Sequence, residues 1–450
     1  MSYVLPVHAQ HTPPMGWNSY DCFGATVTEN EVKENARWMA DSLSRYGWQY
    51  VVVDFCWFYP HPPGSKASPP PQFRLDDGSY VPWLPMDEWG RLLPDTRKFP
   101  SAAGGQGFKP LADYVHSLGL KFGIHVMRGI PRQAVWAKTP VKGMPGITAD
   151  QIANVHDTCG WLNTMFGLDM SKPGAQAYLN SLLTLYASWG VDFIKIDDIT
   201  QPYHAAEILG YRRAIDSCGR DIILSLSPGE TPLSHAKEVS RLANMWRLSG
   251  DLWDNWHQLR HAFDLAAAWV PYARPGHWPD IDMLPVGHLS LRGPVGPPRY
   301  AQLSHDELQT MITLWCITRM PLMIGGNLPD NRPQDTRLET NPEAIEANQG
   351  PYQPVLRWQT DSLIIWQSAD TLTGKQFFLA FFNLKEHPMH MTYRLDTLVS
   401  GNSKNKRHCM LVKDVWKGKI LPATAKQQEL NVQLPPHGCA LFKLSLCDHS

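Results

Sequence analysis

The sequence predicts an α/β protein, a (β/α)8 TIM barrel followed by a C-terminal antiparallel β-sandwich. From residue 12 to about 340, short apolar strand candidates alternate with amphipathic helix candidates, the pattern of parallel β/α units. After about residue 340, β-rich runs follow one another without a helical period. Since 450 residues suffice for one large and one smaller domain, we expect a leader or tag remnant at 1–11, the barrel at 12–340 and the sandwich at 350–450.

Eight short segments are predicted as the barrel strands. They are apolar on both faces, as parallel strands covered by helices must be. In chain order they are "PPMGWNS", "YVVVDF" (50–55), "LKFGIHV" (120–126), "VDFIKI" (191–196), "DIILSLS" (221–227), "ANMWRLS" (243–249), "HWPDIDML" and "PLMIGG" (321–326). Eight such units are the number that closes a (β/α)8 barrel.

Helix signals lie between these strands. Thr28 and Glu31 have capping-box spacing at the start of the first long helix candidate. The apolar stripe of that helix consists of Val32, Ala36, Met39 and Leu43. The other helix candidates are Pro173 to Trp189, Ala205 to Cys218, Leu252 to Ala268 and His305 to Arg319. The Pro-rich run "YPHPPGSKASPPPQF" (59–73) is predicted to be a long loop over the barrel mouth.

The composition excludes some classes of function. Lys plus Arg number 41 against 42 Asp plus Glu, and no basic run occurs, so a nucleic-acid partner is not expected. No apolar run reaches the length of about 18 residues needed to cross a membrane. The 18 Trp and 15 Tyr offer flat aromatic faces suited to sugars, although any single Trp can equally be core filler. The oligomeric state is not predicted.

The cysteines and the first residues bear on the compartment. Eight Cys stand at positions 22, 56, 159, 218, 316, 409, 439 and 447, without zinc-site or redox spacing and too sparse for a disulfide scaffold. The start "MSYVLPVHAQ" lacks a charged n-region, but "VHA" before Gln10 is compatible with the end of a trimmed signal peptide. We expect a secreted or periplasmic location rather than a cytoplasmic one.

Polar residues concentrate at the carboxyl ends of the predicted strands. In a barrel these ends converge on one cavity, so such residues are the candidates for function. They are Asp54, His125, Arg128, Lys195, Asp197, Asp198, Ser225, Ser227, Arg247, Asp251, Asp280 and Asp282. Many carboxylates facing a few cations and aromatic rings suit a polyhydroxylated neutral substrate.

The stretch "GVDFIKIDDIT" places two carboxylates at the end of the fourth strand. Paired carboxylates across a pocket are the requirement of glycosidic bond cleavage. Lys195 points to the same strand face as Asp197 and would keep that carboxylate ionised, as a nucleophile must be. Asp198 is the competing nucleophile, but adjacent strand residues face opposite ways, so only one of the two can enter the pocket.

Asp251 is the candidate for the second carboxylate. Its neighbours Trp246, Leu252 and Trp253 predict partial desolvation, which raises a carboxyl pKa toward that of a general acid. Alternatively Asp251 is a carboxylate at a helix N-terminus, and Asp254 is its rival.

A metal site is the other chemistry considered for the strand ends. His125, His277 and Asp280 are of the ligand types used by barrel metallohydrolases, but no His-x-His or similarly tight spacing occurs. We therefore expect neither a metal nor another cofactor.

Seven motifs of the chain resemble, in order, the successive strand motifs of glycoside hydrolase family 27, the α-galactosidase and α-N-acetylgalactosaminidase family. They span residues 12–328 and read "TPPMGWNSYDCFG", "YVVVDFCW", "LGLKFGIHVMRG", "GVDFIKIDD", "WRLSGDLWDNW", "HWPDIDML" and "RMPLMIGG". The resemblance implies retaining double-displacement hydrolysis without a metal, with Asp197 as nucleophile and Asp251 as acid/base. The positions that match sugar contacts are Trp17 to Tyr20, Asp54, Lys195, Arg247 and Asp282.

Departures from the family pattern leave the sugar open. Phe55 follows Asp54 where the family has a second Asp, and His125 stands where a Tyr is common. Tyr20 replaces a usual Trp, Ile199 replaces a disulfide-forming Cys, and "LSLSPGE" replaces the longer loop that recognises the 2-position. These changes leave the implied mechanism intact.

The expected function is removal of terminal α-D-galactose-like residues from oligosaccharides or glycans. Two alternatives concern the sugar. The small Ser227, Pro228 and Gly229 would admit an N-acetyl group at C2, and Phe55 would favour a sugar without the C6 hydroxymethyl, such as β-L-arabinopyranose. A third alternative is a carbohydrate-binding relative that has lost catalysis.

Overall fold

The structure, a computed structural model, describes residues 12–60, 72–74, 78, 80–395, 410–421 and 429–446. The predicted leader 1–11, residues 61–71 of the Pro-rich loop, and Cys409 and Cys447 lie outside these ranges. The other six cysteines are free thiols. Among the described residues, no helix is both long and apolar enough to cross a membrane.

Eight parallel strands form the barrel, as predicted. They are Met15–Asn18, Tyr50–Val53, Lys121–Met127, Phe193–Asp197, Ile223–Leu226, Met245–Arg247, Trp278–Asp280 and Leu322–Ile324. From the seventh strand each pairs with its predecessor down to the first, and the first pairs with the eighth. A parallel bridge from Leu284, just after the seventh strand, to Ile324 joins the two ends of the sheet. The predicted (β/α)8 fold is therefore confirmed.

Alternate strand positions point into the barrel, and the functional residues continue these inward rows. A separate apolar cluster takes residues from five of the eight strands and from the segment after the seventh, and its members are Tyr50, Val52, Phe193, Ile223, Met245, Met283 and Met323. Two residues further along a strand, side chains return to the same face. Asp54 therefore follows Val52 inward, Lys195 and Asp197 follow Phe193, and Arg247 follows Met245.

The helices cover the outside of the barrel. The α-helices are Tyr20–Phe23, Glu29–Ser42, Lys109–Ser117, Arg132–Trp136, Ala175–Ser188, Ala205–Ser217, Ala236–Leu242, Trp256–Trp269, His305–Thr318, Pro333–Glu339 and Pro342–Gln349. The Thr28 backbone N–H donates to the Glu31 carboxylate at 2.9 Å, as the predicted capping box requires.

The helix predicted from Leu252 begins instead at Trp256. The Asn255 side chain accepts a hydrogen bond from the Gln258 backbone N–H at 3.0 Å and so fixes the start. Asp251 therefore lies in irregular backbone before the helix, not in its first turn, and the alternative of a helix N-terminal carboxylate is wrong.

The third βα connection contains structure that was not predicted. It holds a three-stranded antiparallel sheet of Ile130–Pro131, Ala153–Thr158 and Met165–Leu168. The second connection contributes a hairpin of Gln72–Arg74 and Tyr80–Pro82. Both insertions follow barrel strands, so they build up the face of the barrel where the strands end.

The C-terminal region is antiparallel, as predicted. Its strands are Tyr352–Gln359, Leu363–Asp370, Gln376–Asn383, Met389–Arg394, Met410–Asp414, Lys419–Leu421, Glu429–Leu434 and Cys439–Leu446. Six of them form one sheet, and Met389–Arg394 pairs with Glu429–Leu434 in a second. At the junction with the barrel, the His437 ring stacks on Trp256 with centroids 3.8 Å apart, and its two nitrogens contact Glu307 and Glu386.

Candidate active site

Asp197 is held by hydrogen bonds to both of its oxygens. His125 Nε2 lies 3.0 Å from Asp197 Oδ2, and the Asp198 backbone N–H donates to Oδ1 at 2.9 Å. Because a carboxylate only accepts, Nε2 of His125 must carry the hydrogen. Burial alone raises the pKa of Asp197, but the His125 hydrogen bond and the charge of Lys195 hold that pKa below its ordinary value. This carboxylate is thus kept ionised, as a nucleophile requires.

Lys195 pairs with a different carboxylate from the one expected. Its Nζ lies 2.9 Å from Asp54 Oδ2, and Asn18 Nδ2 donates to the same oxygen at 2.7 Å. Burial raises the pKa of Asp54, but Lys195 opposes it and the net pKa lies well below the ordinary value. The hydrogen-bond partner of Asp197 is therefore His125, while Lys195 acts on Asp197 only through its charge.

Asp198 turns away from Asp197, in the direction predicted for it. Arg128 Nη2 lies 2.9 Å from its carboxylate, and the same guanidinium binds Asp157 and Glu207 at 2.8 Å. Asp157, Glu207 and His204 also offer ligand atoms within 4.8 Å of one another. Arg128 already binds both carboxylates of this group, so its positive charge balances their negative charges.

Asp251 follows the sixth barrel strand and lies beside Arg247, the last residue of that strand. Arg247 Nη2 is 3.2 Å from Asp251 Oδ1, and Arg247 Nη1 is 2.7 Å from Asp282 Oδ1. The Asp251 side chain is 46% exposed, so the desolvation predicted from its aromatic neighbours is not found. Asp282, by contrast, is buried, and burial together with the charges of Asp251 and Asp280 raises its pKa to about 7 despite Arg247.

Tyr20 lies close enough to both candidate catalytic carboxylates for their charges to act on its hydroxyl. Burial raises the pKa of its hydroxyl, and the negative charges of Asp251, Asp54 and Asp197 act in the same direction. Both candidate catalytic carboxylates thus act electrostatically on one phenol. The Tyr20 ring also meets Phe55 edge-on, with centroids 6.2 Å apart.

Phe55 occupies the position where the family carries its second Asp. Its ring contacts His125 edge-on, with centroids 5.5 Å apart, and its backbone N–H donates to Asp54 Oδ1 at 2.8 Å. A phenyl ring therefore stands between Tyr20 and the histidine that binds Asp197. It places apolar surface directly beside the Asp54–Lys195 pair.

The remaining predicted residues, Trp17 and Ser227, contact the barrel backbone. Trp17 is fully buried and donates from Nε1 to the Gly326 carbonyl at 2.8 Å, which ties the first strand to the end of the eighth. Ser227 is buried, and its carbonyl accepts from the Ile199 backbone N–H at 3.2 Å. Neither contact gives these side chains a role in the site.

Two residues of the cluster were not singled out individually from the sequence. Asn18 belongs to the range Trp17 to Tyr20 that the resemblance marks for sugar contact, but its hydrogen bond to Asp54 was not predicted. Asp21 is 1% exposed, its Oδ2 has no hydrogen-bond partner among the described groups, and burial raises its pKa well above the ordinary value. The polar character of the motif was the available signal.

A (β/α)8 barrel whose strand ends carry two separate carboxylates has the groups that a glycoside hydrolase requires. The profile of alpha galactosidase A matches residues 167–350, and that of the alpha galactosidase C-terminal beta sandwich domain matches 360–444. The chain belongs to glycoside hydrolase family 27, which confirms the family predicted from the seven motifs.

Individual relatives match between three quarters of the chain and nearly all of it. A solved β-L-arabinopyranosidase of this family from Geobacillus stearothermophilus is 44% identical, with a TM-score of 0.89, over 97% of this chain and 96% of that one. Alpha-galactosidase 2 of Arabidopsis thaliana is 27% identical over 96% of this chain and 89% of its own. Alpha-N-acetylgalactosaminidase of Mus musculus is 29% identical over 76% of this chain and 69% of its own.

Proposed function

We propose that this glycoside hydrolase removes terminal β-L-arabinopyranosyl residues from oligosaccharides or glycans, with retention of configuration. The observation that carries the proposal is Phe55, whose ring lies between Tyr20 and His125 beside the Asp54–Lys195 pair. β-L-Arabinopyranose has the ring configuration of α-D-galactose but no C6 hydroxymethyl. A phenyl ring offers that hydroxymethyl neither a hydrogen bond nor space, whereas it packs against an unsubstituted C5.

One of the relatives supports this choice of sugar. The Geobacillus stearothermophilus relative at 44% identity is a β-L-arabinopyranosidase, and a variant of it is solved in complex with arabinose. α-D-Galactosides are the second candidate, because Asp54 remains bound by Lys195 and Asn18 and is available to the hydroxyls that both sugars share.

The mechanism assigns one role to each catalytic carboxylate. An Asp197 oxygen attacks the anomeric carbon as the bond to the leaving oxygen breaks, and Asp251 gives its proton to that oxygen. In the second step Asp251 takes a proton from water, the water oxygen bonds to the anomeric carbon, and Asp197 leaves as a carboxylate. Two inversions give net retention.

Other residues bind and orient the sugar. Arg247, which lies between Asp251 and Asp282, is placed to bind the hydroxyl at the 2-position. Asp54 and Lys195 bind hydroxyls on the opposite side of the ring. The exposure of Asp251 fits an acid that must reach a leaving group at the mouth of the site, since the leaving group departs toward solvent.

A panel of nitrophenyl glycosides tests the proposed sugar. We expect kcat/KM to be highest for the β-L-arabinopyranoside, lower for the α-D-galactoside and lowest for the α-N-acetylgalactosaminide. Proton NMR of the first sugar released should show the β anomer of L-arabinopyranose. A preference for the galactoside would contradict the role given to Phe55, and release of the inverted anomer would contradict the mechanism.

The variant Phe55→Asp tests the same role within the chain. A carboxylate at this position can accept hydrogen bonds from the C4 and C6 hydroxyls, so we expect the ratio of kcat/KM for galactoside over arabinopyranoside to rise by about tenfold or more. Phe55→Leu is the matched control, because it keeps the position apolar and should keep the original preference. An unchanged ratio in Phe55→Asp would remove Phe55 from the specificity argument.

A further inference from the structure

Exposed aromatic side chains are concentrated on two loops of the barrel. Of the six strongly exposed aromatic residues in the described part of the chain, four lie in the connections after the second and third barrel strands. They are Tyr80 at 57%, Trp83 at 38%, Trp136 at 50% and Trp161 at 50% exposure. Large apolar side chains clustered on a surface mark a site of interaction. We call these four residues the aromatic rim.

Contacts between the two loops hold the aromatic rim together. The rings of Trp83 and Trp136 meet edge-on with centroids 5.4 Å apart. The Asn163 side chain, two residues after Trp161, donates to the Tyr80 carbonyl at 3.4 Å. The helix that ends at Trp136 begins at Arg132, whose backbone N–H donates to Thr164 at 2.9 Å. The two loops that carry the four residues are therefore in contact with each other.

The loop that carries Trp161 reaches the neighbour of Asp197 through charged contacts. Trp161 follows the strand Ala153–Thr158, and Asp157 of that strand lies 2.8 Å from Arg128. The same guanidinium binds Asp198, the immediate neighbour of Asp197, at 2.9 Å. Phe55 belongs to the same connection as Tyr80 and Trp83. Both loops of the rim thus begin beside residues of the candidate active site.

We propose that the aromatic rim binds the leaving-group part of the glycan substrate, with its pyranose rings stacked on the exposed indoles. This inference rests on the proposed function and extends it to the portion of substrate beyond the scissile bond. Continuity with the active site favours a glycan as the occupant, because a chain whose terminal sugar sits at Asp197 must leave over the adjoining loops. An indole ring offers a large apolar face and loses little conformational entropy when a ligand binds to it. Such a ring is therefore suited to stacking on the apolar face of a sugar.

The test compares two substrates with the same terminal sugar. One is nitrophenyl β-L-arabinopyranoside, and the other is an oligosaccharide of at least three residues ending in β-L-arabinopyranose. For the double variant Trp136→Ala/Trp161→Ala we expect kcat/KM to fall about tenfold for the oligosaccharide and less than about twofold for the nitrophenyl glycoside. Trp358→Ala is the matched control, because Trp358 is 57% exposed on the sandwich and should change neither rate.

Three outcomes would overturn the inference. Equal losses of kcat/KM on the two substrates would indicate that the rim has only a structural role. An unchanged kcat/KM on both substrates would show that the rim does not bind the leaving group. A change of sedimentation coefficient in the double variant, without a substrate-dependent loss, would assign the rim to contact with a second copy of the chain.

Failure of the proposed function gives a different result. In that case the parent enzyme would cleave no arabinopyranoside at all. Calorimetric binding of the same oligosaccharide to Asp197→Ala then tests the rim independently of turnover. Binding that weakens when Trp136 and Trp161 are also replaced supports the rim, and binding that stays unchanged overturns it.

Discussion

His125 lies fully enclosed behind Phe55 and directs one ring nitrogen at the Asp197 carboxylate. In His125→Phe this donor is lost, so the pKa of Asp197 rises. Because Asp197 must be ionised to attack, the acid limb of the kcat/KM profile should move to higher pH, and kcat should fall about tenfold or more. The pH profile of nitrophenyl glycoside hydrolysis measures both effects.

His125→Gln is the control for this prediction, since its amide can still donate a hydrogen bond. We expect it to keep the acid limb closer to that of the parent enzyme. A histidine that only fills space would give the two variants the same acid limb.

Removal of either catalytic carboxylate should abolish most turnover. We expect Asp197→Ala and Asp251→Ala each to lose about three or more orders of magnitude in kcat. Both should keep the circular dichroism spectrum and the melting temperature of the parent within a few degrees. Near-normal turnover in the Asp197 variant would transfer the nucleophile role elsewhere, with Asp198 the first candidate.

At the residue scale, the sequence could predict which side chains gather but not how they pair. Lys195 and Asp197 share a strand face by simple alternation, so both could be placed at the site. Their partners depend on neighbouring strands, where His125 is in register with Lys195 and Asp54 follows the strand beyond. The register between strands cannot be read from a single sequence. The expected effect of the Lys195 charge on Asp197 is therefore found, but the contacts Lys195–Asp54 and His125–Asp197 were not predicted.

The start of the helix Trp256–Trp269 fixes the segment that carries Asp251. The Gln258 side chain accepts from the Trp253 backbone N–H at 2.6 Å, and Asn255 caps the helix. Asn255→Ala should lower the free energy of unfolding by about 1 kcal/mol, measured by urea denaturation. Asn255→Asp keeps an oxygen acceptor and should retain most of that stability, and an equal loss in both variants would contradict the capping role.

The barrel strands were predictable because apolar segments separated by helix-length spacers are strong local signals. The start of the helix at Trp256 was not, because "LWDNW" continues the apolar pattern upstream and conceals the cap at Asn255. The small sheet in the third connection was also missed. Its strands are short, and two of them, Ala153–Thr158 and Met165–Leu168, lack the alternation that marks a half-buried strand.

Buried carboxyl groups make the stability of the whole molecule depend on pH. Glu339 is 1% exposed, Asn331 donates to one of its oxygens at 2.7 Å, and burial raises its pKa to about 8. The folded state therefore keeps a proton that the unfolded chain releases near its ordinary pKa. Stability from this group is complete below that ordinary pKa and is lost as pH rises toward about 8.

Glu339→Gln should remove this part of the pH dependence. At about pH 8.5 we expect the variant to be more stable than the parent by on the order of 2 kcal/mol, with little difference near pH 4. Thermal unfolding midpoints at the two pH values provide the measurement. Asp282 and Glu207, whose pKa values are each raised to about 7, act in the same direction and should leave a residual dependence. A variant that is no more stable than the parent at high pH would contradict the assignment.

The fold of the whole chain followed from the order of its elements, since alternating strands and helices specify a barrel and a β-rich tail specifies a sandwich. The closure through Leu284 did not follow, because it depends on an irregular segment after the seventh strand. The contact between barrel and sandwich, such as the stacking of His437 on Trp256, could not be predicted either, because it joins residues far apart in the sequence.

The stacking of His437 on Trp256 has a practical consequence for anyone who wishes to shorten or recombine this enzyme. Trp256 is the first residue of the helix that follows Asp251, so the sandwich supports, through the His437 ring, the segment that carries the proposed proton donor. An enzyme truncated between the barrel and the sandwich would lose His437, expose the Trp256 indole and leave the segment that carries Asp251 without this contact. Chimeras should therefore exchange the turn around His437 together with the helix that it covers.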